Sequence, residues 1–417
     1  MKTKLKIDNK KLNTTAIASK SYVHRLLIGA ALSSKPSYIF SNIISKDMEA
    51  TVNCLNALGA DIEIEADGFN VKSGVSKQDI VNLDCNESGS TARFMLPLAA
   101  FLSNESTMTG HGKLPERPFG PLTKALGAHG VTCSSEFLPI TTKGELKAGD
   151  YELPGNISSQ YITGLLIVLP LLDGDSKIII TTELESKGYI DITLDVLKQF
   201  GIEIEFKDNI FYIKGNQTYE GDEKIYAEGD WSNSGFLLGL GAIDGEVTLK
   251  GLNPDSLQGD RGILDILKVF GADVRISKNE ITVAKRELHG VDIDASQIPD
   301  LVPALALIAA FADSDSRFRH VERLRIKESD RIETIKETLK AFSREAVCEK
   351  TADGEDLIVK ADANSINELK DIVVNSFNDH RIVMAAVLGA WGSNKEIEID
   401  GSEAINKSFP GFFDLFK

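Results

Sequence analysis

Leu194-Asp-Val-Leu-Lys-Gln-Phe-Gly201-Ile-Glu-Ile and Leu264-Asp-Ile-Leu-Lys-Val-Phe-Gly271-Ala-Asp-Val are two copies of one pattern, and their likeness decides the fold. Each reads as the end of a helix, a glycine that stops it, and a strand alternating apolar with polar residues. Glycine suits that junction because it enters the left-handed conformation without a Cβ clash. Two earlier copies are Cys54-Leu-Asn-Ala-Leu-Gly59-Ala-Asp-Ile-Glu-Ile and Leu122-Thr-Lys-Ala-Leu with Gly130-Val-Thr-Cys. The glycines at 59, 130, 201 and 271 therefore recur every 70 or 71 residues. A fifth copy, Ile335 to Glu349, is blurred and carries Ser343-Arg344 near the glycine position.

A second pattern interleaves with the first: a small or polar residue, an almost wholly apolar helix, a turn and a strand. Its six copies begin near Ser19, Gly89, Ser158, Ser232, Asp300 and His380. Their bodies are Leu26–Leu32, Phe94–Leu102, Ile162–Leu172, Phe236–Ile243, Leu301–Phe311 and Ile382–Trp391. Helices that are apolar nearly all round belong inside a domain, and near-regular recurrence marks a repeat architecture. Each unit reads as buried helix, strand, amphipathic helix, strand, strand. A chain of 417 residues exceeds one ordinary core, and three units fill a domain, so two pseudo-threefold α/β halves are expected. The polar stretch Gly215–Asp230 is the natural crossing. With the N-terminal strand joining the second half, the expected domains are 15–227, and 1–14 with 228–417.

Composition narrows the function. With 42% hydrophobic and 26% charged residues the chain is globular. A net charge of −16 opposes nucleic acid as a partner, but a few cations converging in a cleft still bind a small anion. Met1 to Asn13 has no apolar signal core, and runs such as Gly164–Leu172 are too short for a bilayer. A cytoplasmic protein without membrane contact is expected. Cys54, Cys85, Cys133 and Cys348 are scattered, with no CxxC pair and no histidine at ligand spacing. Free thiols and no metal are the reading.

Chemistry gathers at the starts of the apolar helices. The first has Ser19-Lys20-Ser21 and Arg25; the second Glu87-Ser88-Gly89-Ser90-Thr91 and Arg93; the third Ser158-Ser159-Gln160. The fifth has Pro299-Asp300 and the sixth Asn378-Asp379-His380-Arg381. Free N–H groups and the helix dipole make such termini anion sites, while Ser, Asp and Gly there also serve as plain caps. Lys20, Arg25, Arg93 and Arg381 oppose the dipole and call for something negative nearby. Glu116-Arg117-Pro118 and Arg325-Ile-Lys327-Glu328-Ser-Asp330-Arg331 precede two amphipathic helices. The latter places Lys327 and Arg331 on one face of a helical turn, as a solvated ion-pair face or as part of a site. The fourth start, Asp230-Trp231-Ser232-Asn233, reads as architectural only.

Nine motifs in chain order resemble the enolpyruvyl transferases, and most closely the 5-enolpyruvylshikimate-3-phosphate synthase family. They are Lys20-Ser21 with Arg25, the Gly89 turn with Arg93, Glu116-Arg117-Pro118, Ser158-Ser159-Gln160-Tyr161, Ser186-Lys-Gly-Tyr189-Ile-Asp-Ile-Thr, Ile298-Pro-Asp300, Arg325 to Arg331, Asn378-Asp-His380-Arg381 and Lys407-Ser-Phe-Pro. The resemblance implies two inside-out α/β domains, each of three βαβαββ-type units with buried parallel helices, and an active site in the cleft between them. It implies transfer of the enolpyruvyl group of phosphoenolpyruvate to the 5-hydroxyl of shikimate 3-phosphate with release of phosphate, on the route to aromatic amino acids. No cofactor is implied, and a monomer is expected.

By the same resemblance Lys20, Gly89, Arg117, Gln160, Arg331, Arg381 and Lys407 hold phosphoenolpyruvate. Ser21, Arg25, Ser158, Ser159, Gln160, Ser186, Asp300 and Lys327 hold shikimate 3-phosphate. Asp300 is implied as base, sharing the proton with Lys327, Glu328 as acid, and Lys20 as a further catalytic group. Arginine's planar fork matches carboxylate and phosphate, which suits the first set. Departures from the family's pattern are Glu87, Ser90, His24 and Arg323. The rival enzyme is the UDP-N-acetylglucosamine enolpyruvyl transferase, which typically has Cys or Asp where this chain runs His111-Gly-Lys-Leu-Pro-Glu-Arg-Pro. RNA 3′-phosphate cyclases share a related unit but use a nucleophilic histidine. A non-catalytic anion-binding relative is the rival outside enzymes.

Overall fold

The computed structural model describes residues 1–278, 280–361 and 372–417. The chain forms two compact units, Ala18–Ala227 and Met1–Ile17 with Glu228–Lys417.

In the unit Ala18–Ala227 the helices are α1 (Lys20–Leu32), α2 (Lys46–Ala57), α3 (Gly89–Leu102), α4 (Gly120–Ala128), α5 (Ser159–Val168) and α6 (Lys187–Gln199). The odd-numbered helices are the apolar ones and are buried almost throughout. The run that begins at Ile162 is shorter as an α-helix than its apolar length suggests: Leu169-Pro170-Leu171 tightens into a 3₁₀ turn, since proline has no N–H to continue the ladder. Three four-stranded sheets surround these helices. In one, Gln78–Asp84 pairs parallel with Ser103–Thr109, the pair that α3 connects. Ile140–Gly144 then runs antiparallel to Ser103–Thr109, with Val131–Cys133 at the edge. The sheet built on Asp150–Leu153 repeats this order around α5 and α6.

The other unit has α7 (Trp231–Ile243), α8 (Ile263–Phe270), α9 (Val302–Ala309), α10 (Arg331–Ala341) and α11 (His380–Ser393). Helices α7, α9 and α11 are its buried ones. The repeat is confirmed in backbone geometry: Gly59, Gly130, Gly201 and Gly271 all have φ between 76° and 100°. In the blurred fifth copy Ser343 takes that place, with φ 53°.

Two strands are exchanged. Lys11–Thr15, which leads into α1, pairs parallel with Glu246–Lys250 in the sheet that follows α7. Lys224–Tyr226, which leads into α7, pairs parallel with Ser37–Phe40 in the sheet that follows α1. The chain passes between the two units at residues 17–18 and 227–228. Among the described residues the sixth repeat departs from the regular unit, with a sheet of three strands. Lys2–Leu5 runs antiparallel to Ile397–Asp400 there, and a 3₁₀ turn, Ser402–Lys407, follows where an amphipathic helix stands in the other units. Among the described residues no helix is long and apolar enough to cross a membrane.

Candidate active site

In the unit Ala18–Ala227 the cations collect at the starts of α1, α3 and α5. Lys20 opens α1, and its Nζ lies 2.6 Å from Asp47 Oδ2 on α2, the negative partner that its place near the helix dipole requires. Arg25, one turn on, is buried. Its Nε donates to Thr193 Oγ1 at 2.8 Å, Nη1 to the Ser21 carbonyl at 2.7 Å and Nη2 to the Tyr189 carbonyl at 3.0 Å, and its guanidinium lies 5.0 Å from the Phe94 ring centre. Every one of these partners is neutral. Burial pulls its pKa down to about 10, with Tyr189 and Tyr22 opposing. Ser186, just ahead of α6, has φ 52°, a left-handed conformation that a serine holds only at some cost.

Gly89 opens α3 beneath two guanidinium groups. A Cβ there would stand 2.6 Å from Arg117 Nη1 and 2.8 Å from Arg93 Nη1, so only glycine leaves both where they are. Arg93 Nη2 donates to the Pro118 carbonyl at 3.3 Å, and the group packs over the Phe119 and Tyr161 rings. Tyr161 Oη donates to that same carbonyl at 2.6 Å, fixing the Arg117-Pro118 segment. Ser158 caps α5 by accepting from the Gln160 backbone, Ser159 is buried, and Gln160 Nε2 donates to Ser90 Oγ at 2.9 Å. The Ser90 departure thus ties α3 to α5. The Glu87 departure is accommodated by a side chain whose carboxylate lies against Gly112. His24 is buried with Nδ1 2.7 Å from Thr51 Oγ1, and burial, then Lys20 and Arg25, hold its pKa well below the usual range, so it stays neutral.

In the unit of Met1–Ile17 and Glu228–Lys417 the cations around Asp300 meet carboxylates. Asp300 Oδ1 faces three of them: Arg331 Nη1 at 2.7 Å, Arg381 Nε at 3.4 Å and Lys327 Nζ at 3.6 Å. Arg331 is buried and also donates through Nη2 to Glu328 Oε2 at 2.5 Å and through Nε to Asp379 Oδ2 at 2.8 Å. Burial opposes its charge, but Asp379, Glu328 and Asp300 outweigh burial and hold the pKa well above normal. Lys327 goes the other way: burial lowers its pKa to about 8, against Asp300, with Arg323 and Arg331 adding to the fall. The Arg323 departure therefore acts on Lys327. Lys407 Nζ donates to the Asn378 carbonyl at 2.6 Å.

Two sequence expectations need correction here. Lys327 and Arg331 do not share a helical turn, because Asp330 caps α10 by accepting from the Glu333 N–H and the helix begins only at Arg331. Lys327 is extended ahead of it, and Asp300 is what brings the two cations together. The start of α7 is also more than architecture: Ser232 Oγ accepts from Arg381 Nη2 at 2.7 Å. Asp47, Asp379, Thr193 and Ser232 were missed as partners of the site cations. Asp379, quoted between Asn378 and His380, was the one with a visible signal, an acidic residue beside two basic ones. Among the described residues no group of three His, Cys, Asp or Glu side chains is placed to hold a metal ion.

The family model for EPSP synthase (3-phosphoshikimate 1-carboxyvinyltransferase) matches residues 9–416. The chain belongs to the EPSP synthase family. It is 41% identical over 415 residues to the 3-phosphoshikimate 1-carboxyvinyltransferase of Clostridium novyi (strain NT), covering 96% of this chain and 93% of that protein. It is 43% identical over 406 residues to the enzyme of the same name from Clostridium kluyveri, covering 96% and 92%. In fold it is similar to EPSP synthase from Acinetobacter baumannii, with TM-score 0.77, 24% identity and coverage of 99% and 97%. The enolpyruvyl transferase NikO from Streptomyces tendae shares the fold at TM-score 0.75 and 15% identity, covering 99% and 94%. The family therefore extends over both cation clusters.

Proposed function

We propose that this chain is a 3-phosphoshikimate 1-carboxyvinyltransferase, moving the enolpyruvyl group of phosphoenolpyruvate to the 5-hydroxyl of shikimate 3-phosphate and releasing phosphate. Family membership supports the reaction, and the observation that carries the site assignment is Asp300 Oδ1 facing Arg331, Arg381 and Lys327 at 2.7, 3.4 and 3.6 Å. A carboxylate at that position can take a proton from a substrate hydroxyl, and the three cations bind an anion brought against it.

Arg25, Ser21, Ser158, Ser159, Gln160 and Ser186 hold shikimate 3-phosphate together with Lys327. Lys20, Gly89, Arg117, Gln160, Arg331, Arg381 and Lys407 hold phosphoenolpyruvate. Asp300 takes the 5-hydroxyl proton with Lys327 beside it, while Glu328 gives a proton to the methylene carbon. The hydroxyl oxygen bonds to the adjacent carbon, and the tetrahedral adduct then loses phosphate as the surrounding cations take up its charge. The methyl group returns a proton to restore the enol ether.

The Arg331 contacts supply a trigger. Without substrate its three nitrogens are spent on Asp300, Glu328 and Asp379. An incoming carboxylate or phosphate competes for that guanidinium and draws it from Glu328. A carboxylate that loses its cation in a partly buried site gains proton affinity, which suits an acid.

Phosphate release is measured with phosphoenolpyruvate and shikimate 3-phosphate, and in parallel with UDP-N-acetylglucosamine as acceptor. Release with shikimate 3-phosphate alone supports the reading. Release only with the sugar nucleotide replaces it by the sister reaction, and release with neither leaves an anion-binding protein.

A further inference from the structure

Arg25 is 5% exposed, so what its guanidinium can offer a ligand depends on how many of its N–H groups the protein already uses. A guanidinium carries five such groups. Nε gives its one to Thr193 Oγ1 at 2.8 Å. Nη2 gives its two to the Tyr189 carbonyl at 3.0 Å and to Thr163 Oγ1 at 3.4 Å. Nη1 gives one to the Ser21 carbonyl at 2.7 Å, and the other Nη1 N–H is what remains.

Thr193, on α6, decides which N–H remains. Besides accepting from Arg25, it gives its own proton to the Tyr189 carbonyl at 2.9 Å, one turn back along the helix. Thr163, on α5, places its Oγ1 2.9 Å from Thr193 Oγ1. A hydroxyl has one proton and two lone pairs. The Thr193 proton is used on Tyr189, so Thr163 is the donor between the two threonines, and its own lone pairs are left for Arg25 Nη2. The hydrogen bonds therefore run in a closed ring through Arg25, Thr193 and Thr163, and both hydroxyls are buried. The Phe94 ring covers one face of the guanidinium at 5.0 Å. A carboxylate in place of Thr193 would hold the arginine as firmly but would neutralise it, as Asp379 does for Arg331. A hydroxyl fixes the direction and leaves the charge for a ligand.

We propose that Thr193 is a positioning residue for shikimate 3-phosphate binding: backed by Thr163, it sets the Arg25 guanidinium so that one Nη1 N–H and an uncompensated charge are left for the ligand. This rests on the reading that Arg25 holds shikimate 3-phosphate. Without the Thr193 hydroxyl the buried Nε–H loses its acceptor, and the guanidinium turns to recover one, carrying the Nη1 N–H out of place.

Thr193→Val keeps the shape and removes the hydroxyl, while Thr193→Ser keeps the hydroxyl and removes a methyl. T193V is expected to raise KM for shikimate 3-phosphate about tenfold, the size of one hydrogen bond to a charged group, with KM for phosphoenolpyruvate within about twofold of wild type. T193S stays within about twofold of wild type for both substrates. Thr163→Val raises KM for shikimate 3-phosphate about threefold, and the double variant loses less than the product of the two, as members of one ring should. Thr51→Val is the control, since it deletes an equally buried hydroxyl that serves His24, the neighbouring residue on α1, at 2.7 Å. It leaves KM for shikimate 3-phosphate within about twofold. Equal rises in both KM values with T193V, a T193S that behaves like T193V, or a T51V effect on the shikimate 3-phosphate KM as large as that of T193V would each overturn the proposal. Hydrogen exchange of the Arg25 Nε–H, identified in ¹⁵N-arginine-labelled protein as the signal lost in R25K, reads the hold without substrate. It is about tenfold faster in T193V and unchanged in T193S, and equal exchange in T193V and wild type also overturns the proposal. Wild-type protein that releases no phosphate with shikimate 3-phosphate rejects the reaction, while the exchange still judges the hold on Arg25.

Discussion

Arg25 and Arg331 are both buried guanidinium groups at the starts of helices, and they are held in opposite ways. Arg25 is surrounded by two hydroxyls, two carbonyls and an aromatic face, and its pKa falls. Arg331 is gripped by Asp300, Glu328 and Asp379, and its pKa rises. A buried cation with neutral partners is a standing cost that an anionic ligand relieves. A buried cation among carboxylates is already compensated; what it provides is control over the protonation of its neighbours. The first arrangement suits binding and the second suits proton transfer. In the proposed reaction the cluster around Arg25, Arg93 and Gly89 grips anions, while the cluster around Arg331 both holds phosphoenolpyruvate and carries the acid and the base.

The largest effect is expected at Asp300. Asp300→Ala should lower kcat by ~10²–10⁴, the usual contribution of a positioned base, while leaving KM for shikimate 3-phosphate within an order of magnitude. Steady-state kinetics with both substrates decide this. A loss that falls on KM alone would place Asp300 among the binding groups and blur the contrast between the clusters.

Stability breaks the comparison more directly. Arg331→Met leaves Asp379, which is fully buried, without its cation, and stripping one partner from a buried ion pair costs about 3–5 kcal/mol. Arg25→Met strands only neutral groups, so its unfolding free energy from urea titration should stay within about 1 kcal/mol of wild type while KM for shikimate 3-phosphate rises about tenfold or more. Equal destabilisation by the two substitutions would show that the difference in partners has no energetic meaning. At Gly89 the expected effect is smaller. Gly89→Ala meets only the mobile ends of Arg117 and Arg93, so folding is little affected, but the displaced guanidinium groups should raise KM for phosphoenolpyruvate about tenfold. An unchanged KM would mean that neither arginine reaches that substrate.

How much of this was legible in the sequence follows from the range of the interactions. The repeat was legible because it rests on local demands: a left-handed residue after each amphipathic helix and an apolar helix at each centre. Ser343 shows the limit, since a left-handed serine leaves no mark that a reader can separate from an ordinary one. The N-terminal strand was expected to join the second half, but the strands that Lys11–Thr15 and Lys224–Tyr226 pair with were not legible, because a short parallel edge strand carries nothing that names its distant partner. The site cations stood out by type and position, but most of their partners did not. Arg381 finds Ser232 across 149 positions and Arg25 finds Thr193 across 168. Serine and threonine are too common for their presence to point anywhere, so the start of α7 read as architecture until the fold placed it beside Arg381.

Lys327 offers the mildest test and joins the two kinds of cation in one residue. It is largely buried, with 19% of its side chain exposed, and it faces a carboxylate, as Arg331 does, yet burial wins and its pKa falls to about 8. Its protonated fraction therefore drops as pH rises through about 8, and kcat/KM for shikimate 3-phosphate, which this cation helps to hold in the proposed reaction, should fall on that limb. The residual activity of Lys327→Met should lack it. The folding consequence has a definite sign. The unfolded chain keeps this proton up to about 10.4, so between about 8 and that value the unfolded state binds more protons and stability rises with pH. Below 8 the burial penalty is paid in full, and above it the folded protein sheds the proton. Wild type should thus gain stability relative to K327M as pH climbs through this window. A gap that is constant across it would mean that Asp300 offsets the burial of Lys327 completely, placing this lysine with Arg331 rather than between the two.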